Sequence, residues 1–184
     1  MIRRIFIAAT IAAIALPGFA TAQSSMPSAD SIMRQLEAAP QKRVRPNERV
    51  TVREFKRRPE LRRAAPSIEI QSINFSFGSA EIPYSQYGKV EQIANALDRI
   101  IKRRPGTRIL IEGHTDAVGS DHSNLILSER RADSLKRVLV REFNIPSRAI
   151  ETVGYGEDYL LVQTQAENWQ NRRVTLRRVD EFLR

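Results

Sequence analysis

Glu112-Gly113-His114-Thr115-Asp116-Ala117-Val118-Gly119-Ser120-Asp121-His122-Ser123-Asn124-Leu125-Ile126-Leu127-Ser128-Glu129-Arg130-Arg131-Ala132 is the stretch on which the reading of this chain turns. It follows the apolar run Ile109-Leu110-Ile111, which reads as an inner strand covered on both faces. Gly113 suits a tight turn at the end of that strand. Asp116 then falls just beyond the strand, where open sheets place ligands. Ser128 and Glu129 read as the cap and first turn of a helix over about residues 128–143, with Arg131 in that first turn. An acid on the loop and a guanidinium at the helix start hold opposite charges a short way apart. The pair suits a zwitterion, its ammonium on Asp116 and its carboxylate on Arg131 at the positive end of the helix. Each residue also has a purely structural reading. Asp116 caps its own loop, and Arg131 joins a surface ion pair with Glu129, Asp133 or a loop acid.

Working outward, Ile73, Phe75 and Phe77 alternate with Asn74 and Ser76, as in a half-buried strand. Pro83 fits the first position of a helix. Val90, Ile93, Ala94, Leu97, Ile100 and Ile101 recur at helical spacing. Lys102-Arg103-Arg104 favour the C-terminal end of that helix, and Pro105-Gly106 stop it. In the second helix Ala132, Leu135, Val138, Leu139 and Phe143 point inward. Ile150 to Tyr155 and Val174 to Val179 read as further strands. The order β-α-β-α-β-β predicts an α+β fold: a two-layer sandwich, with helices on one face of a small mixed sheet. This domain spans residues 67–184.

The charge of the chain is local. Its 184 residues carry a formal charge of +9, yet residues 41–63 alone hold ten basic side chains against three acids, Glu48, Glu54 and Glu60. Pro40, Pro46, Pro59 and Pro66 punctuate the region. Residues 23–66 therefore read as an extended basic arm, with one short helix around Ile32 to Ala39 and a weakly alternating strand over Val50 to Phe55. The segment from Lys42 to Arg63 suits an anionic membrane surface or an envelope protein, or serves as a solvated spacer. Phe55 is the one aromatic residue among the basic ones, so no aromatic interleaving supports nucleic-acid stacking. Residues 1–22 have the basic start, the apolar core and the Ala20-Thr21-Ala22 site of a cleaved signal peptide. The chain has no Cys, so neither a disulfide framework nor lipidation at a cleavage-site Cys is expected.

Gly113-His114-Thr115-Asp116, Gly119-Ser120, Asn124, Leu127-Ser128, Arg131-Ala132, Gly154-Tyr155-Gly156-Glu157 and Asn171-Arg172-Arg173-Val174 together resemble the OmpA-like C-terminal, peptidoglycan-binding domain family. The resemblance covers about residues 73–179. It implies non-covalent binding of peptidoglycan through the meso-diaminopimelate of the stem peptide, the zwitterion already inferred. It assigns the ammonium to Asp116 and the carboxylate to Arg131. It makes Thr115, Asn124 and Leu127 the pocket wall, and sets Phe77 and Gly78 where the first-strand loop closes over the ligand. It implies a tether between the cell wall and the outer membrane or an envelope partner, in the periplasm of a Gram-negative bacterium. Gly78, Ser123 and Leu160 depart from the family's usual residues, all in loops. Arg172 and Arg173 read as a structural ion pair fastening the last strand.

A wall hydrolase using Glu112, Asp116 and His114 is the alternative from another class. It needs two carboxylates flanking the bond, or three metal ligands where the chain offers only His114 and His122. No cofactor, metal or catalytic residue is expected.

Overall fold

A computed structural model describes residues 25–71, 73, 75 and 79–184. The signal-peptide expectation for residues 1–22 lies outside the described residues, as do Phe77 and Gly78. The fold is α+β as expected. Strands β1 (Ser67–Ile70), β2 (Ile109–His114), β3 (Ile150–Gly154) and β4 (Arg173–Arg178) form one open mixed sheet in the order β1-β4-β2-β3. Strand β2 runs parallel to β3 and antiparallel to β4, and β4 pairs antiparallel with β1. All six residues of β2 are buried, as an inner strand requires.

Helices α1 (Ala29–Glu37), α4 (Tyr87–Arg103) and α5 (Asp121–Arg141) cover one face of the sheet. The apolar stripe of α4 (Val90, Ile93, Leu97 and Ile100) meets Leu135 and Leu139 of α5 and Ile109 and Ile111 of the sheet. Burial of such side chains contributes about 1.5–3 kcal/mol each, which drives this layer together.

Three local expectations change. The first strand is Ser67–Ile70, where Ile68 and Ile70 alternate inward; Ile73 and Phe75 lie outside it, packed against the helical core. Pro83 precedes a single 3-10 turn, and α4 begins at Tyr87. Helix α5 begins at Asp121, not near Ser128. Its N-cap is Ser120, whose hydroxyl accepts from the Ser123 amide at 3.2 Å. Arg131 is therefore about three turns into the helix, beyond reach of the helix's positive end.

The segment read as an extended arm departs most. Short helices α2 (Val52–Lys56) and α3 (Pro59–Ala64) stand where extended chain was expected. Thr51 and Glu54 form a capping box that starts α2, so the Val50–Phe55 strand reading gives way to a helix. Val50 alone keeps a strand-like bridge, to Leu183. Phe55, Leu61, Ala64 and Ala65 pack with Leu110, Val179 and Phe182 in a second core on the other face of the sheet. Few apolar side chains suffice, because each short helix contributes a single turn to a surface that the sheet supplies.

Candidate functional site

The loop after β2 is set by packing beneath it. Gly113 and Gly154 are partners across β2 and β3. A side chain at Gly113 would strike the Ser128 backbone, and one at Gly154 the Glu129 backbone. The two glycines thus let α5 lie directly on the strands. Gly113 serves this close approach within β2 rather than the tight turn expected of it. The Ser128 hydroxyl, placed over this contact, accepts from the Gly156 amide at 2.8 Å and donates to the Leu125 carbonyl at 2.8 Å. Helix α5 is thereby held against the ends of β2 and β3, and Arg131 with it.

Asp116 is buried at the C-terminal end of β2, as the sequence placed it. Its Oδ1 accepts from the Val118 amide at 3.4 Å, so the expected local cap exists, though it is long. Its Oδ2 accepts from Arg172 Nη1 at 2.8 Å. Arg172 donates through the same atom to Glu167 at 2.6 Å. Arg172 was read as a structural ion pair, and it does pair with a loop acid. Its second partner, the site carboxylate itself, was not foreseen.

Arg131 is also buried. It forms none of the ion pairs expected with Glu129 or Asp133; its Nε donates to the Ser79 carbonyl at 3.2 Å. Its guanidinium lies 4.9 Å from the centre of the Phe75 ring, within cation–π range. Burial lowers its pKa, as does the neighbouring Arg172, while Asp116 acts in the opposite direction. Arg131 therefore feels both of the other charges, and Asp116 bonds Arg172 directly. An anionic ligand relieves the repulsion between Arg131 and Arg172, and an ammonium has Asp116 to meet it.

Thr115 is buried, its amide donating to the Gly156 carbonyl at 2.9 Å. Among the described residues its hydroxyl has no hydrogen-bond partner, an uncommon state for a buried polar atom. Asn124 braces the loops around Asp116. Its Nδ2 reaches the carbonyls of Asp116 (3.3 Å) and Val118 (3.2 Å) and Glu157 Oε2 (2.6 Å). It ties the Asp116 loop to the loop after β3. Leu127 is half-buried on α5, one turn before Arg131. Asn171 is fully buried and holds the far loop, accepting from the amides of Leu161 (2.8 Å) and Val162 (3.0 Å). Sequence reasoning missed Phe75, Ser79 and Arg172 as neighbours of the site. For Arg172 the sequence signal is partial: a basic side chain just before the last strand implies an acid partner, but not which one. An open groove of about 470 Å³ lies apart from Asp116, between Ile82 and Tyr87 on one side and Arg137 and Arg141 on the other.

Glu112 and His114 do not assemble with Asp116 into a hydrolytic site. Glu112 points to the second face, clamped by Arg62 (3.0 and 3.0 Å) and Arg177 (2.9 and 3.1 Å). Burial favours its neutral form, yet His114, Arg62 and Arg177 outweigh that and hold it well below the usual carboxylate range. A general acid needs the opposite shift. His114 is buried, its Nε2 lies 3.8 Å from Glu112 Oε2, its ring nitrogens make no hydrogen bond among the described residues, and burial lowers its pKa. Among the described residues no group of His, Cys, Asp or Glu is placed to hold a metal ion.

Residues 74–174 match the sequence model of the OmpA family. The chain is 36% identical over 104 residues to outer membrane porin F of Pseudomonas aeruginosa, covering 55% of this chain and 29% of that protein. It is 39% identical over 82 residues to the peptidoglycan-associated lipoprotein of Legionella pneumophila, covering 44% and 46% respectively. The chain thus spans less than half the length of either relative. The periplasmic domain of Helicobacter pylori MotB, at 19% identity, superposes with a TM-score of 0.51 over 61% of this chain and 74% of that one, a likeness of fold.

Proposed function

Because the chain belongs to the OmpA family, we propose that it binds peptidoglycan non-covalently, as a binding domain and not an enzyme. The ligand is the meso-diaminopimelate of the stem peptide. Its ammonium meets Asp116, and its carboxylate meets Arg131 and Arg172. The observation that carries this reading is the buried Asp116 carboxylate bonded to Arg172, with the buried guanidinium of Arg131 near enough to feel both charges. The relatives, named for the outer membrane and for peptidoglycan, support a place in the periplasm of a Gram-negative bacterium, bridging the wall to the outer membrane.

Co-sedimentation with purified sacculi, beside titration with free meso-diaminopimelate and an Nα-acetyl-lysine control, tests the assignment. A charged hydrogen bond contributes about 1.5–3 kcal/mol, so Arg131→Ala should weaken binding by roughly 10- to 150-fold, and Asp116→Asn by the lower end of that range, because the ammonium displaces Arg172 from the same carboxylate. Circular dichroism should show both variants folded. Equal affinity for diaminopimelate and for Nα-acetyl-lysine, which has no ammonium and carboxylate on one carbon, or sedimentation of both variants like the wild type, overturns the reading.

A further inference from the structure

The basic segment is a fixed surface, not a loose tail. Phe55 and Leu61 anchor it in the second core. Phe55 and Phe182 meet edge to face, 5.6 Å between ring centres. The Gln41 amide donates to the Ala64 carbonyl at 2.8 Å, and the Val50 amide to Phe182 at 2.9 Å. On the solvent side of this layer Arg43, Arg45, Arg53, Arg57, Arg58 and Arg63 are all exposed. None of the six forms an ion pair among the described residues.

The acids of the segment are occupied elsewhere. Glu48 Oε2 accepts from the Arg45 backbone amide at 3.2 Å, starting a 3-10 turn. Glu54 Oε2 accepts from the Thr51 amide at 2.8 Å and from its hydroxyl at 2.9 Å. Only Glu60 has no hydrogen bond or ion pair among the described residues. Glu48 and Glu54 are thus turned to helix caps, Glu54 also pairing with Arg184 at 3.8 Å, and among the described residues neither forms an ion pair with the six arginines.

We infer that this surface docks on a bilayer bearing anionic phospholipids, its arginines paired with headgroup phosphates. Three observations select that partner. Apart from Lys42 the exposed cations of the segment are all guanidiniums, whose paired donors match phosphate oxygens. No large apolar side chain is exposed in the segment, since Tyr84, Val118, Leu125, Leu161 and Trp169 all lie elsewhere. An acidic protein partner would be expected to find an apolar centre for its interface, and a single-stranded nucleic acid an aromatic platform; neither is here. A cluster of four to eight basic residues is of the size that holds a protein to an anionic bilayer. The surface covers the second face of the sheet, whereas Asp116 lies beyond the end of β2. The docking does not depend on the wall-binding reading, and the two contacts form together.

Co-sedimentation of the protein with vesicles of phosphatidylglycerol and phosphatidylcholine, against phosphatidylcholine alone, tests the inference. Binding should require the anionic lipid and fall steeply between 50 and 200 mM salt, on the order of tenfold or more. Each basic residue near such a surface contributes about fivefold, so replacing Arg53, Arg57, Arg58 and Arg63 together by Gln should lower the partition coefficient by roughly 100-fold or more. That variant should still pellet with sacculi, which also reports its fold. Asp116→Asn should show the reverse, losing sacculi and keeping vesicles. Equal binding to neutral vesicles, a partition coefficient indifferent to salt, or wild-type vesicle binding by the folded quadruple variant overturns it. A preference for polyglutamate or an oligonucleotide over the anionic vesicles overturns it as well.

Discussion

Replacing Arg62 by Ala tests whether the N-terminal segment is part of one cooperative domain. Arg62 lies on α3, and its side chain crosses to the sheet to make two charged bonds with Glu112, each 3.0 Å. Its guanidinium also lies 3.7 Å from the centre of the Tyr155 ring and 4.1 Å from that of Tyr159. In the variant Glu112 keeps both bonds from Arg177, so its charge is not orphaned. The loss is therefore set at the low end of the range for breaking a buried pair, about 3 kcal/mol, with a further increment of up to about 2 from the desolvated cation–π contacts. A domain of this size loses about 2–4 °C of Tm per kcal/mol, so a fall of roughly 10 °C is expected. Arg62→Met, which keeps much of the stem's volume, should cost less. Urea unfolding should be followed both by circular dichroism and by the fluorescence of Trp169, the one Trp of the chain. Trp169 sits in the loop between β3 and β4, far from the mutation in sequence. The two signals should shift together with unchanged slope. A variant within about 1 kcal/mol of the wild type, or one that loses helix at low urea while Trp169 keeps its wild-type midpoint, would falsify the claim that the segment is integral.

Glu112 also predicts an acid sensitivity. Its folded pKa lies below the ordinary 4.5, so its contribution is fully present above that value and is lost as pH falls through and below it. Stability measured from pH 6 down to pH 3 should decline in the wild type. The decline should be shallower in Glu112→Gln, which starts less stable; parallel curves would mean that Glu112 is not the group responsible. Gly154→Ala should destabilise by more than the usual 1–3 kcal/mol of an overpacked site, because the new methyl meets the Glu129 backbone as well as the hydrogen-bonded Ser128 hydroxyl. Gly106→Ala, with open space around it, serves as the control, and similar midpoints for the two variants in thermal melts would contradict the close approach of α5.

The long periodic elements were legible because their burial follows their spacing. Val90, Ile93, Leu97 and Ile100 form the inner stripe of α4, and Ile109-Leu110-Ile111 lies in the doubly covered β2, as read. The start of α5 was not. Ser120 and Ser128 are equally good caps, and between them the mostly polar side chains hide the helical period. The basic segment misled for a related reason. Its charge pattern describes the solvent side, whereas its fold depends on Phe55, Leu61 and the Arg62–Glu112–Arg177 cluster, partners far apart in sequence. At the site, Asp116 and Arg131 were found as a charged pair on separate elements. The role of the helix start was not, because it depended on the misplaced cap. Arg172 was recognised as an ion-pairing residue, but chain order does not reveal that β4 lies beside β2 and brings it to Asp116.

That third charge bears on how tightly the proposed site binds. In the free protein Asp116 is already paired with Arg172, so an arriving ammonium exchanges one charged bond for another. The net gain for the amine end is small. Arg172 need not be wasted, since it remains bonded to Glu167 and stands ready for the ligand's carboxylate beside Arg131. Most of the single-site affinity then comes from the carboxylate end and from the rigidity of the loop that Asn124 and Asn171 brace. Modest affinity suits a ligand repeated along a fixed polymer: many weak sites raise the local concentration of the next one, and the protein holds the mesh without being locked to any one stem. Arg172→Ala separates the two ends. It should strengthen the response to a simple amine such as lysine methyl ester, by freeing Asp116, and weaken the response to meso-diaminopimelate. Movement of both affinities in the same direction, read by titration of the folded variant, would show that Arg172 does not stand between them.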